Sequence, residues 1–595
     1  MASDDISSQR TQLRRVLNGT EPVRKLIKSH GKKIIAGYPI SILVLFAIVP
    51  AGILLVTSFF PKPSGEFYSI GFTGTHYLRV LEGQALGYIS TTLVLAVATT
   101  ILCLSIGFPM AYGLSRFCSP KYKRNYLIVI IATMWLTVII RTYAIQILYA
   151  TDGVFNRLLV GLGLVSEPML ESTGLFTVLT GMVYGFLPFA LLSMYSSINE
   201  IEPSLEEASL NLGANRLQTI WRVVLPQSVK GIAVAGGLVF ILSSGSYVVP
   251  RLLGGPSQWT VPILITQQIS NQLNVPYAAA LAIVFVLVID GLFVVGYWLY
   301  RRLTMVSMAN VGVESFGTEI VRIGDAILRS VPNSITARVP TFLRAYLSIL
   351  LVLFALPMAV VISVSFSPGS VMQFPPEGFS LQWYQEIVTS VLWRNAVIDS
   401  LLIAVIAAII STSIGASLAY SIDRFELPYK SQLLALGMTP LVIPPVIAGV
   451  AYMSYFLQIG LWGAKFGVAI AHGVVFSPFA LVLVKKGLDE LDGHLEEAAA
   501  SLGASQMQLT RTVTIPLLSS ALFSGALFAF VLSLNEYIIA YFLSGFGFNT
   551  VPIEIFSSLR YNYSPEIAAI SVFYITLTTI VVVVVDMRYD LSLWN

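Results

Sequence analysis

Long apolar stretches separated by short polar ones set the pattern of this chain. Windows of about 20 residues with almost no charge, the length needed to cross a bilayer core, recur about twelve times. They predict helical spans near 35–60, 88–113, 126–150, 172–196, 229–250 and 278–300. A second set follows near 342–366, 396–421, 431–457, 465–486, 517–544 and 565–586. The fold class expected is an all-α polytopic membrane protein. Residues 1–33 are polar and basic, with no apolar core of signal-peptide type, and read as a tail. Residues 303–340 are mixed polar, with Pro332 and Pro340 near the end, and read as a linker in which Gly312 to Ile327 forms a short interfacial helix. The domain plan is thus 1–33 tail, 34–302 first transmembrane domain, 303–340 linker and 341–595 second transmembrane domain.

One polar stretch between apolar segments, Glu202 to Pro226, occurs twice. Glu206-Glu207-Ala208 through Gly213-Ala214 returns as Glu496-Glu497-Ala498 through Gly503-Ala504, and Pro226 returns as Pro516, always 290 residues on. Other segments repeat at nearby offsets. Gly107, Ala111, Tyr112, Arg116 and Phe117 match Gly415, Ala419, Tyr420, Arg424 and Phe425 at 308, and Tyr77 matches Tyr384 at 307. The chain is a tandem duplication. Each half starts on one side and crosses an even number of times, so the repeats run parallel, unlike the inverted repeats of many secondary transporters.

Orientation follows from Lys and Arg in short loops. The tail (Arg10 to Lys33), the loop with Arg116, Lys121, Lys123 and Arg124, the loop with Arg424 and Lys430, and the linker all lie on one side if each half crosses six times. Both repeated polar loops lie there too. That side is read as the cytoplasm, with both termini on it.

The repeated loop reads as a short helix. Pro203 and Ser204 suit a helix start, Glu206 and Glu207 lie in a first turn that favours negative charge, and Gly213 suits a helix end or a close approach to a partner. The pattern E-E-A-x(5)-G, followed by a basic residue and then Leu-Pro or Ile-Pro, resembles the EAA loop of bacterial and archaeal ABC importer permeases. The resemblance implies two parallel six-helix repeats of the MetI-like, type I permease fold in the cytoplasmic membrane. It also implies two separate ATPase subunits that grip coupling helices at 202–214 and 492–504, and an extracytoplasmic binding protein that delivers a small solute. Glu206, Glu207, Ala208, Gly213, Glu496, Glu497, Ala498 and Gly503 are the residues it assigns to coupling.

Three stretches resemble the spermidine/putrescine-type permease pair in particular. These are Trp135 to Ala144 with Asp152 to Asn156, Ser246 to Pro256, and, in the second half, Pro440 to Pro444 with Ser533 to Tyr537. Related permeases carry ferric ion, thiamine, phosphonates and opine-like compounds. Where polyamine-type second permeases tend to place paired acids, this chain has Asn535 and Glu536, so one carboxylate is an amide.

A charge in hydrocarbon costs at least about 2.5 kcal/mol, so ionisable residues in spans stand out. Glu536, about 20 residues beyond Pro516, is expected in the outer half of its span. There it either faces the pathway, against an amine-bearing solute, or partners a buried Arg such as Arg141. Arg141 itself faces the pathway or reaches the headgroups. Asn535, Tyr143, Tyr247 and Tyr537 complete the pathway candidates, against the plainer reading of the aromatics as packing or belt residues.

Composition narrows the classes. Apolar residues are 56% and charged residues 11%, against roughly 25% charged in soluble domains. No basic patch with interleaved aromatics suggests nucleic acid. Cys103 and Cys118 form no disulfide framework, and His30, His76, His472 and His494 form no ligand cluster, so no metal is expected. No G-x-x-x-x-G-K-[S/T] loop occurs. If the resemblance holds, ATP and Mg belong to partner subunits and this chain is not itself an enzyme. An ion-coupled secondary transporter is the alternative from another class.

Overall fold

A computed structural model of the protein describes residues 35–65, 68–134, 136–309, 328, 331–370, 372, 374–425, 427–491, 493–545, 547–561 and 564–589. The expected tail over 1–33 and the expected interfacial helix over 312–327 lie outside these residues. Among the described residues every regular element is helical. The first series includes α1 (Ile35–Thr57), α2 (Ala85–Phe117), α3 (Pro120–Met134), α4 (Val138–Leu148), α5 (Leu175–Asn199), α6 (Pro203–Asn211), α7 (Arg216–Ser244), α8 (Val248–Leu253), α9 (Val261–Ser270) and α10 (Val275–Ala309), besides other short helices. The second likewise includes α11 (Val339–Val364), α12 (Val391–Arg424), α13 (Lys430–Val442), α14 (Pro445–Ile459), α15 (Lys465–Glu490), α16 (Gly493–Ser501), α17 (Thr510–Leu517), α18 (Ser519–Asn535), α19 (Ile538–Ser544), α20 (Val551–Tyr561) and α21 (Glu566–Tyr589).

Eight helices are each long and apolar enough to cross a membrane, and three bent pairs raise the number to eleven among the described residues. The twelfth expected span corresponds to α21, whose apolar part, Glu566–Val581, is shorter. The third expected span of each half is not one rod. α13 stops at Val442 and α14 starts at Pro445, and α3 and α4 meet at 101°. In the second series the cause is Pro444-Pro445, since neither residue has an N–H for the helix ladder and each disfavours helical backbone in the residue before it. In the first series no proline stands there. Thr137 instead opens α4, its hydroxyl accepting the N–H of Ile140 at 3.3 Å.

Prolines also explain a repeated widening of the helix. A five-residue π turn, Ile220–Val224 in one series and Thr510–Thr514 in the other, lies just before Pro226 and Pro516. The wider turn makes room for a ring where the regular helix has none.

The chain divides into two compact units that do not follow the repeats. One holds Met1–Pro50, Ile403–Val442 and Ala469–Ser533; the other holds Ala51–Leu402, Ile443–Val468 and Leu534–Asn595. The first helix of each series accounts for part of this, because it packs on the opposite series. In the smaller unit, the Ser413 hydroxyl of α12 donates to Tyr38 Oη of α1 at 3.0 Å. In the larger, α11 lies on the first series. Tyr346 donates to the Ile106 carbonyl at 2.8 Å, Tyr184 donates to the Phe354 carbonyl at 3.1 Å, and the rings of Tyr184 and Phe354 stack 5.3 Å apart.

Repeated Gly107 and Gly415 mark where helices touch. A Cβ on Gly107 would lie 2.7 Å from Met194 Cε, and one on Gly415 would lie 2.5 Å from the backbone N of Leu481. Small residues allow this closeness, and it replaces the hydrophobic drive that lipid removes.

Candidate functional site

α6 begins as its sequence requires. Pro203 loses no hydrogen bond at a position whose N–H has no partner in the helix. Glu206, in the first turn, points inward. Its Oε1 accepts from Arg116 Nε at 2.6 Å and its Oε2 from the Tyr112 hydroxyl at 2.9 Å. Arg116 Nη2 also donates to the carbonyls of Ile198 and Ile201, at 3.3 and 2.7 Å. One guanidinium therefore ties the ends of α2 and α5 to the start of α6. Glu207 and Ala208 remain exposed. Past the helix, Gly213 has φ +90°, and a Cβ there would meet nothing within 4 Å. Backbone handedness, not space, calls for glycine. Leu212 beside it is 89% exposed and Leu205 is exposed as well.

The second loop, at α16, repeats the plan with looser joints. Glu496 Oε2 pairs with Arg424 Nε at 2.8 Å, and its Oε1 accepts from the Thr514 hydroxyl at 2.7 Å. Arg424 also pairs with its neighbour Asp423. Tyr420, the match of Tyr112, lies with its hydroxyl 3.3 Å from Thr510 Oγ1. Gly503 has φ +86°, Ala498 and Leu495 are exposed, and Leu502 is 89% exposed. The side chain of Glu497 lies outside the described residues.

Four of the pathway candidates, Asn535, Glu536, Tyr247 and Tyr537, lie at breaks in helices. The expected spans 229–250 and 517–544 stop early, at Ser244 and Asn535, and restart as α8 and α19. Glu536 is therefore at a joint and not within a continuous span. Its carboxylate accepts the N–H of Ile539 at 2.9 and 3.0 Å and that of Ala540 at 3.0 Å. An interrupted helix leaves first-turn donors without partners, and a carboxylate satisfies them. Ser246 occupies the matching joint, where its carbonyl accepts from Thr260 at 3.2 Å. Gly245 presses on the Pro444-Pro445 break, its Cβ position 3.1 Å from Pro444.

Tyr247 and Tyr537, the residues that follow at the 290 offset, stack 6.0 Å apart. Phe556 lies against both, at 5.9 and 4.7 Å. Arg141 is buried in α4 and donates to the Gly185 carbonyl at 3.4 Å. Tyr143, further along α4, borders a cavity of about 540 Å³ that Gln146, Asp152, Ser172 and Phe374 also line.

Residues 104–305 and 333–592 each match the binding-protein-dependent transport system inner membrane component family. The chain belongs to that family. It carries two copies of the family's domain, so it is a fused tandem permease and a multi-pass membrane protein. The spermidine/putrescine transport system permease protein PotB of Escherichia coli is 32% identical over 261 residues, which are 44% of this chain and 94% of PotB. PotB of Haemophilus influenzae is 30% identical over 259 residues, 44% of this chain and 90% of that protein. The putrescine permease PotI of Escherichia coli is 34% identical over 222 residues, 36% and 79% of the two chains. A solved bacterial ABC transporter that imports alginate aligns over 47% of this permease and 100% of its own chain, with 20% identity and a TM-score of 0.33. At that score the alignment adds nothing to the family match.

Sequence reasoning on this permease missed the partners of its own motif. Arg116 and Arg424 count as loop charges and as repeat markers, but their task is to hold Glu206 and Glu496. The signal was available: both pairs recur, Arg at an offset of 308 and Glu at 290, and a repeated acid with a repeated base suggests a repeated bond. Leu212 and Leu502 carried a weaker signal, as apolar residues just before a helix-ending glycine.

Proposed function

We propose that this permease forms the translocation pathway of an ATP-driven type I importer whose solute is a polyamine or a related amine-bearing compound. Two ABC ATPase subunits dock on α6 and α16 from the cytoplasm, where both termini also lie. An extracytoplasmic binding protein delivers the solute to the other face. ATP and Mg act on the ATPases, and no group in this chain carries out chemistry. The observation that carries the reading is the matched pair of loops. Each has its first glutamate held by an arginine from the second span, and each leaves an adjacent leucine 89% exposed. A fixed helix with an uncovered apolar knob beside it suits a rigid partner cleft. The names of the relatives support the amine class.

Mechanically, closure of the ATPases on ATP moves the two helices, and the arginine ties pass that motion to α2 and α12. Such coupling needs two global states that ATP and the loaded binding protein favour differently. The test is ATPase activity of the complex in lipid, with binding protein present, across amines, phosphonates and ferric complexes. Stimulation by spermidine or putrescine alone is expected. Stimulation confined to another class removes the amine assignment, and a complex that binds no ATPase removes the importer.

A further inference from the structure

A cavity of about 540 Å³ lies at the end of α4. Tyr143, Gln146, Thr151, Asp152 and Ser172 give it polar walls, and Phe374, from the loop after α11, closes one side. All of it lies within the larger compact unit. α5 starts just beyond Ser172 and ends just before α6. At 1.5 Å per residue its 25 residues put the cavity about 37 Å from the first coupling helix, on the opposite face of the membrane.

The site is preformed. Asn156 is buried and fixes the loop that carries Asp152. Its amide donates to the carbonyls of Ala150 and Leu170 at 3.0 and 2.8 Å, and its oxygen accepts from the N–H of Met169 and Leu170 at 3.1 and 2.9 Å. Gly153 is hemmed in by the carbonyls of Ile147, Leu148 and Ala150, within 2.5–2.8 Å of where a Cβ would stand. The first two belong to the C-terminal end of α4, the negative end of a helix.

The charge around it has one dominant sign. Over residues 149–174 and 365–381, the two segments framing the cavity, the acids are Asp152, Glu167, Glu171 and Glu377, and the only base is Arg157. A concave site with this excess and with Tyr143 and Phe374 as ring faces attracts cations, through the field of the mouth and through cation–π contact. A separate space of only about 10 Å³ lies on the other side of Tyr143 and Ile147, among Ile140, Val361 and Val364. That holds one water at most.

We infer that this cavity is an outward-facing vestibule in which a cationic, amine-bearing solute rests before translocation, with Asp152 as its counter-charge and Tyr143 as its floor. The inference rests on the amine reading above. The test uses the full chain in lipid nanodiscs with its ATPases and binding protein, and a Ser172→Cys substitution as the reporter. Native thiols interfere little: Cys103 is buried, and burial pushes the Cys118 thiol above its ordinary range. A trimethylammonium methanethiosulfonate should label the variant about tenfold faster than a sulfonate methanethiosulfonate, as one nearby carboxylate dictates.

Asp152→Asn should collapse that ratio, and Gln146→Glu should raise it. Spermidine should slow labelling by a neutral reagent, and Asp152→Asn should abolish the protection. If the complex responds to spermidine in the ATPase assay but labelling shows neither charge preference nor protection, the vestibule is wrong and the amine reading stands. If spermidine neither protects nor stimulates, both fall.

Discussion

At the scale of single residues, the two arginine–glutamate ties make unequal predictions. Arg116 and Glu206 are both nearly enclosed, with side chains 12% exposed, and Arg116 also holds two carbonyls, whereas Arg424 is 22% exposed. Removing one member of a buried pair strands the other, at about 3–5 kcal/mol. Arg116→Ala should therefore lower the thermal stability of the purified permease clearly, and Arg424→Ala should lower it less. Arg116→Lys should recover only part of the loss, because an ammonium cannot span the glutamate and two carbonyls as the guanidinium does. Thermal unfolding in detergent reads all three. Equal losses at 116 and 424 would refute the ordering.

At the scale of elements, α6 and α16 separate folding from docking. Leu212 and Leu502 touch little in this chain, and exposed positions tolerate substitution within about 0.5 kcal/mol. Leu212→Glu should leave folding and membrane abundance unchanged yet prevent co-purification of the ATPases. Retention of full ATPase binding would remove Leu212 from the interface. Gly213→Ala acts differently, since a left-handed backbone costs a side-chain-bearing residue roughly 1–2 kcal/mol. It should impair both the loop and its coupling, read as ATPase activity no longer raised by loaded binding protein.

Much of this level was legible beforehand. Apolar windows placed most spans to within a few residues, and the 290 offset placed both loops. Less visible were the joints. The polar residues Ser244 to Tyr247 and Asn535 to Tyr537 are too few to interrupt a 20-residue apolar window, so a broken helix and a straight one share the same average composition. Pro444-Pro445 carried a signal for its bend that the expected single span 431–457 did not use. The first-series bend, at Thr137, carried no such signal, since a threonine cap inside an apolar run looks like any other β-branched residue. Glu536 illustrates the same limit: a lone acid in an apolar segment signals a polar task, but only coordinates show that two backbone N–H groups occupy it.

At the scale of the whole molecule, the helices α1 and α11 each lie on the other series. A fragment ending in the linker would keep α2 and α5 but lose α11, exposing Ile106 and Tyr184, whose partners Tyr346 and Phe354 lie on the lost helix. Such a fragment should accumulate poorly in membranes, and co-expression with the second half as a separate chain should restore it. Membrane abundance by immunoblot decides; a stable lone first half would show that α11 is dispensable to it.

The same exchange has a consequence for how the protein is made. Tyr38 and its partner Ser413 are 375 residues apart. At roughly 5–20 residues per second, the ribosome takes about 20–75 s to reach Ser413 after Tyr38 has emerged. For that interval α1 waits in the bilayer with its seat not yet synthesised, open to capture by insertases, quality-control proteases or the wrong neighbour. α11 faces no such delay, because α2 and α5 are already in place when it arrives. The two halves share a fold, but birth order gives them opposite risks.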